Sequence, residues 1–237
     1  MSNRVGVLLN SCRNIVRSRV AQSCLLCAAR SHAGLLCPAC ADDLPRLAPE
    51  RCPSCAAPTP GGVVCGACLK RPPAFDAATA VYRYGFPVDV LVQRLKYAGQ
   101  TVIADFLAQQ LAEILAGSVR PDLILAMPLH SRRLRERGYN QAALLAGHLA
   151  RRLGVAFAPA ACRRERDTPP QVDLPLKDRR KNIKGAFVCA ADLTGKRVAL
   201  VDDVMTSGAS LDELARVVKR AGAVEVSAWV VARTVKD

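Results

Sequence analysis

Eight of the chain's 11 cysteines fall in one stretch, at Cys24, Cys27, Cys37, Cys40, Cys52, Cys55, Cys65 and Cys68. They form four CxxC pairs, and the unit CxxC, nine residues, CxxC occurs twice at a 28-residue offset. A CxxC turn points two sulfurs at one centre, and two such turns complete a tetrahedral thiolate shell, which is the chemistry of two structural zinc ions. Zinc also suits a short segment interrupted by Pro38, Pro53, Pro58 and Pro60, which can build little core of its own. Redox cysteines or a disulfide framework are the competing readings. A disulfide framework normally follows a secretion signal, and the first 23 residues, with Arg4, Arg13, Arg17 and Arg19, have no continuous apolar core. Spacing leaves consecutive and crossed pairing of the ligands open. The segment reads as a structural clip or as a module for nucleic acid or a protein partner. It carries no aromatic residue between Cys24 and Cys68 on which a base would stack. Cys12, Cys162 and Cys189 lack a CxxC partner and read as small buried apolar groups.

The second chemical signal is VALVDDVMTSGAS, 198–210. Four apolar residues lead into Asp202 and Asp203, a Thr/Ser/Gly loop follows, and then an amphipathic helix begins. Such a loop cradles phosphate: backbone N–H groups converge, hydroxyls add donors, and Gly208 admits close approach. The two carboxylates would repel a phosphate, so they suit the hydroxyls of an attached sugar, directly or through a metal-bound water. A phosphate cradle beside a diol-binding acid pair describes a ribose 5-phosphate site.

This segment resembles the phosphoribosyl pyrophosphate (PRPP) motif of type I phosphoribosyltransferases, with Ser207 and Ser210 where threonine is usual. That resemblance assigns Thr206, Ser207, Gly208, Ala209 and Ser210 to the 5-phosphate, and Asp202 and Asp203 to the ribose hydroxyls as the catalytic acids. PRPP also carries a pyrophosphate, which needs a second cationic site. AMPLHSRRLRERGYNQ, 126–141, supplies His130, Arg132, Arg133, Arg135 and Arg137, read as a loop ahead of a helix. Leu129, His130, Arg132 and Arg133 sit where related enzymes receive pyrophosphate. Arg135 and Arg137 are equally a solvated helix face, and His130 can equally serve a local hydrogen bond.

The elements that must position these residues follow from the pattern. Residues 1–23 place Val5, Leu8, Leu9, Cys12, Ile15, Val16 and Val20 at helical spacing. That helix packs on the next domain or, less simply, lies on a membrane surface or targets an organelle. The cysteine segment occupies 24–70, and 69–76, with Pro72 and Pro73, is a linker. From 77 to 237 strands alternate with helices: strands at ATAVYRY, PDLILAMP, VAFAPAA, GKRVALVDDV and VEVSAWVVART, helices between them. That alternation predicts an α/β domain with a parallel sheet, helices on both faces, and ligand beyond the carboxyl ends of the strands. Residues 163–187 are basic, hold Pro169, Pro170 and Pro175, and read as a lid. From 130 to 184 there are 14 Lys/Arg against 5 Asp/Glu, so this stretch holds most of the basic excess.

The whole chain has 237 residues and a formal charge of +14, which favours an anionic partner. At 51% hydrophobic it is not a disordered chain, and no apolar run reaches the length of a bilayer span, so no stable membrane insertion is expected.

Together these segments resemble the competence protein F (ComF) family. PLHSRRLRERGYNQ carries a P-x-H-x-x-R-x-x-x-RG-x-NQ pattern. TPPQVDLPLKDRRKNIKGAF carries Q…R-x-x-N-x-x-GAF at Gln171, Arg179, Asn182, Gly185, Ala186 and Phe187. RLKYAG, with Lys96 and Gly99, and the double zinc ribbon match as well. The resemblance implies a type I phosphoribosyltransferase fold behind a small zinc-ribbon domain. It implies PRPP bound with magnesium, and a lid bearing Gln171, Arg179 and Asn182. It further implies a cytoplasmic role in natural transformation or use of external DNA, with single-stranded DNA and DNA-uptake proteins as partners. Whether the domain turns over PRPP or responds to it as an inactive nucleic-acid adaptor is left open, as is the acceptor. Nucleobase salvage is a third reading that lacks an assignable stacking aromatic, since Trp229 reads as core.

Overall fold

The computed structural model describes residues 22–32, 34–167 and 181–235. The N-terminal segment 1–21, with Cys12, lies outside the described residues, as do lid positions Gln171 and Arg179. The chain divides into two compact units between Leu44 and Pro45.

The smaller unit holds the first cysteine repeat. A two-residue strand pair, β1 (Gln22–Ser23) and β2 (Arg30–Ser31), is antiparallel, and a one-turn helix α1 (Pro38–Asp42) follows Cys37. The second repeat belongs to the larger unit and is built the same way. Helix α2 (Gly66–Lys70) follows Cys65, and the cysteines ahead of the two helices have nearly identical dihedrals, φ −70° with ψ 159° and 154°. Each repeat turns at a left-handed alanine, Ala28 (φ 61°) and Ala56 (φ 57°), directly after the second cysteine of a CxxC pair. The bonds match too: Cys24 and Cys52 N–H donate to Ala29 and Ala57 carbonyls at 2.7 Å.

The rest of the larger unit is a five-stranded sheet. Its strands are β3 (Ala77–Arg83), β4 (Leu123–Ala126), β5 (Ala156–Phe157), β8 (Arg197–Met205) and β9 (Glu225–Arg233), in the order β3-β9-β8-β4-β5. Every pairing is parallel, as the strand–helix alternation predicts. The central strand β8 buries Val198 to Val201 without interruption, as a strand covered on both faces must. The expected strand over 155–161 shrinks to two residues.

Helices α3 (Val88–Tyr97), α4 (Val102–Leu115), α6 (Gln141–Leu153) and α7 (Ala209–Arg220) cover the sheet. Leu107, Leu111, Leu145 and Leu149 on α4 and α6 are fully buried. Asn140 caps α6 by accepting from the Ala142 and Ala143 amides, and Gly154 closes it in the left-handed region at φ 64°.

Two larger features also differ from the sequence reading. The arginine segment is not a loop: Ser131–Arg137 forms helix α5, because His130 accepts the Arg132 amide as its N-cap and Gly138 (φ 81°) ends it. The basic segment after β5 begins and ends in a hairpin, β6 (Cys162–Arg164) against β7 (Phe187–Cys189), in which Cys162 stands directly opposite Cys189. Cys162 is buried, as expected, while Cys189 is only half-buried.

Candidate functional site

The eight clustered cysteines assemble as two consecutive sets, Cys24, Cys27, Cys37, Cys40 and Cys52, Cys55, Cys65, Cys68, which settles the pairing left open by spacing. Within each set the sulfurs all lie within 4.8 Å of one another. Zinc–sulfur bonds of about 2.3 Å in a tetrahedron require S···S edges of about 3.8 Å. Cys27 to Cys37 and Cys55 to Cys65 both measure 3.7 Å, so the donor sets fit the ion. Burial raises the Cys24 thiol, but the amides of Cys27, Cys37 and Leu26 outweigh it and bring it down to about 6. The amides of Cys65, Cys55 and Ser54 likewise overcome burial at Cys52 and bring it down to about 7. Both groups are biased toward the thiolate that a metal needs.

At the carboxyl edge of the sheet, β8 ends in Asp202, Asp203, Val204 and Met205. Thr206, Ser207 and Gly208 then turn the chain into α7. Gly208 takes φ 76°, where a side chain would be strained, and Met205 and Phe75 pack beside it, 3.4 and 3.8 Å from where a Cβ would stand. Asp202, Thr206, Gly208, Ala209 and Ser210 line one small concavity over the N-terminus of α7. Ser207 accepts the Ala209 amide at 3.4 Å.

The two acids have different surroundings. Asp203 is 3% exposed, and Lys96 at the end of α3 places its ammonium 2.9 Å from Oδ2. That oxygen still lacks a well-angled hydrogen bond. Burial opposes the Lys96 charge, but Asp203 and Asp202 outweigh it and hold its pKa above the ordinary lysine value. Asp202 accepts the Asp203 amide at 2.9 Å. Burial, then the Asp203 charge, push the Asp202 carboxyl up to about 7, against the pull of Lys96. Lys96 was a motif position in the sequence; its contact with an acid 107 residues away was not legible there.

The candidate pyrophosphate segment runs beside this edge. β4 pairs with β8 through Ala126 and Val201, and the Met127 amide donates to the Val201 carbonyl at 2.9 Å. Asn140 donates to the Met127 carbonyl at 3.0 Å, and Tyr139 donates to the Leu95 carbonyl, so the GYN turn binds this segment to α3. Leu129, His130 and Arg133 are half-buried, while Arg132 is exposed. Arg132 Nε lies 2.8 Å from Asp167 Oδ2, and His130 Nδ1 is 3.5 Å from Asp167 Oδ1. The β6–β7 hairpin closes the flank. Arg164 bridges to His130 and stacks over Phe187 at 5.8 Å. Burial, then the Arg133 charge, lower the Arg164 pKa, with Asp167 and Asp202 opposing. Asn182 is half-buried, and Gly185 donates its amide to Glu213 of α7 at 2.8 Å. Trp229 is buried, 4% exposed, as read from the sequence. It lines a cavity of about 410 Å³ ahead of β4, away from the acids.

The sequence matches the double zinc ribbon domain family over residues 18–69 and the phosphoribosyl transferase domain family over 140–236. A purine phosphoribosyltransferase structure from Pyrococcus horikoshii aligns with 56% of this chain and 82% of its own, at 22% identity and a TM-score of 0.37. The DNA utilization protein YhgH of Salmonella typhi is 37% identical over 172 residues, 70% of this chain and 76% of the relative. Competence protein F of Haemophilus influenzae is 36% identical over 174 residues, again 70% of this chain and 76% of the relative. Identity at that level over three quarters of a relative reflects common descent, and the chain belongs to the competence protein F family.

Proposed function

We propose that the carboxyl edge of the sheet binds PRPP and that the protein serves the uptake or use of external DNA as a phosphoribosyltransferase-like component. One observation carries this reading: an acid-ended central strand that passes through a left-handed glycine into the N-terminus of α7. The loop amides and the Thr206, Ser207 and Ser210 hydroxyls take the 5-phosphate, and Asp202 and Asp203 take the ribose hydroxyls. Leu129, His130, Arg132 and Arg133 take the pyrophosphate, and the segment with Gln171, Arg179 and Asn182 covers it. Magnesium, when bound with PRPP, offsets pyrophosphate charge. In a transfer reaction the protein's task is to hold both phosphates, orient the ribose and exclude water.

The names competence protein F and DNA utilization protein, carried by the relatives, support the DNA-linked role. The basic 130–184 stretch supports an electrostatic contact with single-stranded DNA in the cytoplasm, together with DNA-uptake proteins. Among the described residues no helix is long and apolar enough to cross a membrane.

Calorimetry with PRPP and Mg²⁺ tests the site. Asp202→Ala with Asp203→Ala is expected to weaken binding about a hundredfold, from two lost charge-assisted contacts of about 1.5 kcal/mol each. Unchanged affinity removes the assignment. Pyrophosphate release that depends on an added acceptor distinguishes an enzyme from a PRPP-responsive adaptor. Single-stranded DNA binding should fall steeply with salt, and equal binding at low and high salt counts against it.

A further inference from the structure

Arg233, the last residue of β9, spans the second cysteine cluster and the turn after β8. Its Nε donates to the carbonyl of Cys55, a ligand of the second cysteine cluster, at 3.0 Å. Its Nη1 donates to the Met205 carbonyl at 3.1 Å, to the Thr234 carbonyl at 2.6 Å and to the Thr206 carbonyl. Met205 and Thr206 lead into the phosphate loop. A trans peptide is planar, with its C=O and N–H pointing in opposite directions. Fastening the Met205 and Thr206 carbonyls on the Arg233 side therefore aims the Thr206 and Ser207 amides the other way. With the loop read as the anion site, the Ser207 amide is among its donors.

The segment of the second cluster is tied to the α/β domain at two further points. Pro53 in its first CxxC turn accepts the Ala78 amide of β3 at 3.1 Å. The chain leaving α2 brings Ala74 to donate to Asp212 of α7 at 2.6 Å, and sets Phe75, 3% exposed, behind Gly208.

We propose that Arg233 is a positioning residue that couples the second cysteine cluster to the phosphate loop, so that metal at Cys52, Cys55, Cys65 and Cys68 and anion at 206–210 favour each other's binding. The coupling rests on the reading of that loop as the anion site. Linkage makes it reciprocal: if metal preorganises the loop, bound anion raises the cluster's metal affinity by the same factor, and slower metal release is its expected kinetic sign.

The experiment uses the zinc-loaded full chain, with Arg233→Lys and Arg233→Gln beside the parent. PRPP affinity with Mg²⁺ is measured by calorimetry, and zinc release by a chromogenic chelator. Both variants are expected to retain two zinc ions as purified, to bind PRPP about tenfold more weakly, and to release one of the two ions faster. In the parent, saturating PRPP should slow the release of one ion and leave the other unchanged. PRPP bound by the variants as tightly as by the parent, with unchanged release, overturns the coupling. If a variant fails to fold, the parent decides alone, and release of both ions unaffected by PRPP overturns it. A parent that takes up no PRPP overturns the reading of the loop instead. Zinc release then judges Arg233 by itself, since an unchanged rate in the variants shows that it does not hold the cluster.

Discussion

The two cysteine clusters share ligand set, turn geometry and helix, yet they stand in different settings. The first is shaped by local bonds: Leu25 N–H to the Leu35 carbonyl at 3.0 Å, and the Ser31 hydroxyl to the Gly34 and Leu36 carbonyls at 3.0 Å each. The second is continuous with the α/β domain, through Arg51 to the Ala80 carbonyl at 3.1 Å as well as Ala78 and Arg233. A duplicated motif thus forms part of a small compact unit in one copy and part of the α/β domain's foundation in the other.

Breaking each cluster in turn gives the largest contrast. Cys68→Ser should lower the thermal stability of the α/β domain by several kcal/mol, whereas Cys40→Ser should leave that transition in place. Scanning calorimetry with zinc analysis reads both, and equal shifts would erase the distinction. The next effect tests the acid pair at the carboxyl edge of the sheet. Lys96→Met leaves Asp203 buried without its counter-charge, and urea unfolding near neutral pH should show a loss of about 3 kcal/mol.

A pH series sharpens the picture of the edge that the second cluster supports. The folded protein retains a proton on Asp202 from the ordinary 3.8 up to about 7, so this group's contribution to stability is lost as pH rises through that window. Binding has the opposite sign, because the ionised acid is the better partner for hydroxyls or a metal. PRPP affinity should rise about tenfold between roughly pH 6 and 8, and Asp202→Asn should remove Asp202's share of that rise. The smallest effect concerns the left-handed alanines. Ala56→Gly should stabilise the α/β transition by about 0.5–1 kcal/mol, and Ala28→Gly should not move it. Differential scanning fluorimetry reads both substitutions.

Much of this was legible in the sequence because it is local. Ligand spacing in CxxC pairs, apolar runs on buried strands and the hydroxyl–glycine turn after Asp203 are all set by neighbours within a few residues. What escaped is the long-range part. Nothing in RLKYAG says that Lys96 meets Asp203, and nothing in the last strand marks Arg233 as a bridge to Cys55. The helix at Ser131–Arg137 was only half legible, as a solvated helix face at Arg135 and Arg137, for a related reason. Its arginines suggested an open anion loop, while the decisive signals were a histidine used as a cap and the glycine at 138. Cys162 and Cys189, apart in sequence, meet only because the hairpin folds back on itself.

Asp167, three residues beyond β6, holds the guanidinium of Arg132 and borders the imidazole of His130. The Arg132 guanidinium therefore already has a resident carboxylate as guest. A pyrophosphate arriving there would exchange with that internal ligand rather than fill bare cationic space. Its net gain is smaller than the raw attraction, and weakly charged anions are disfavoured.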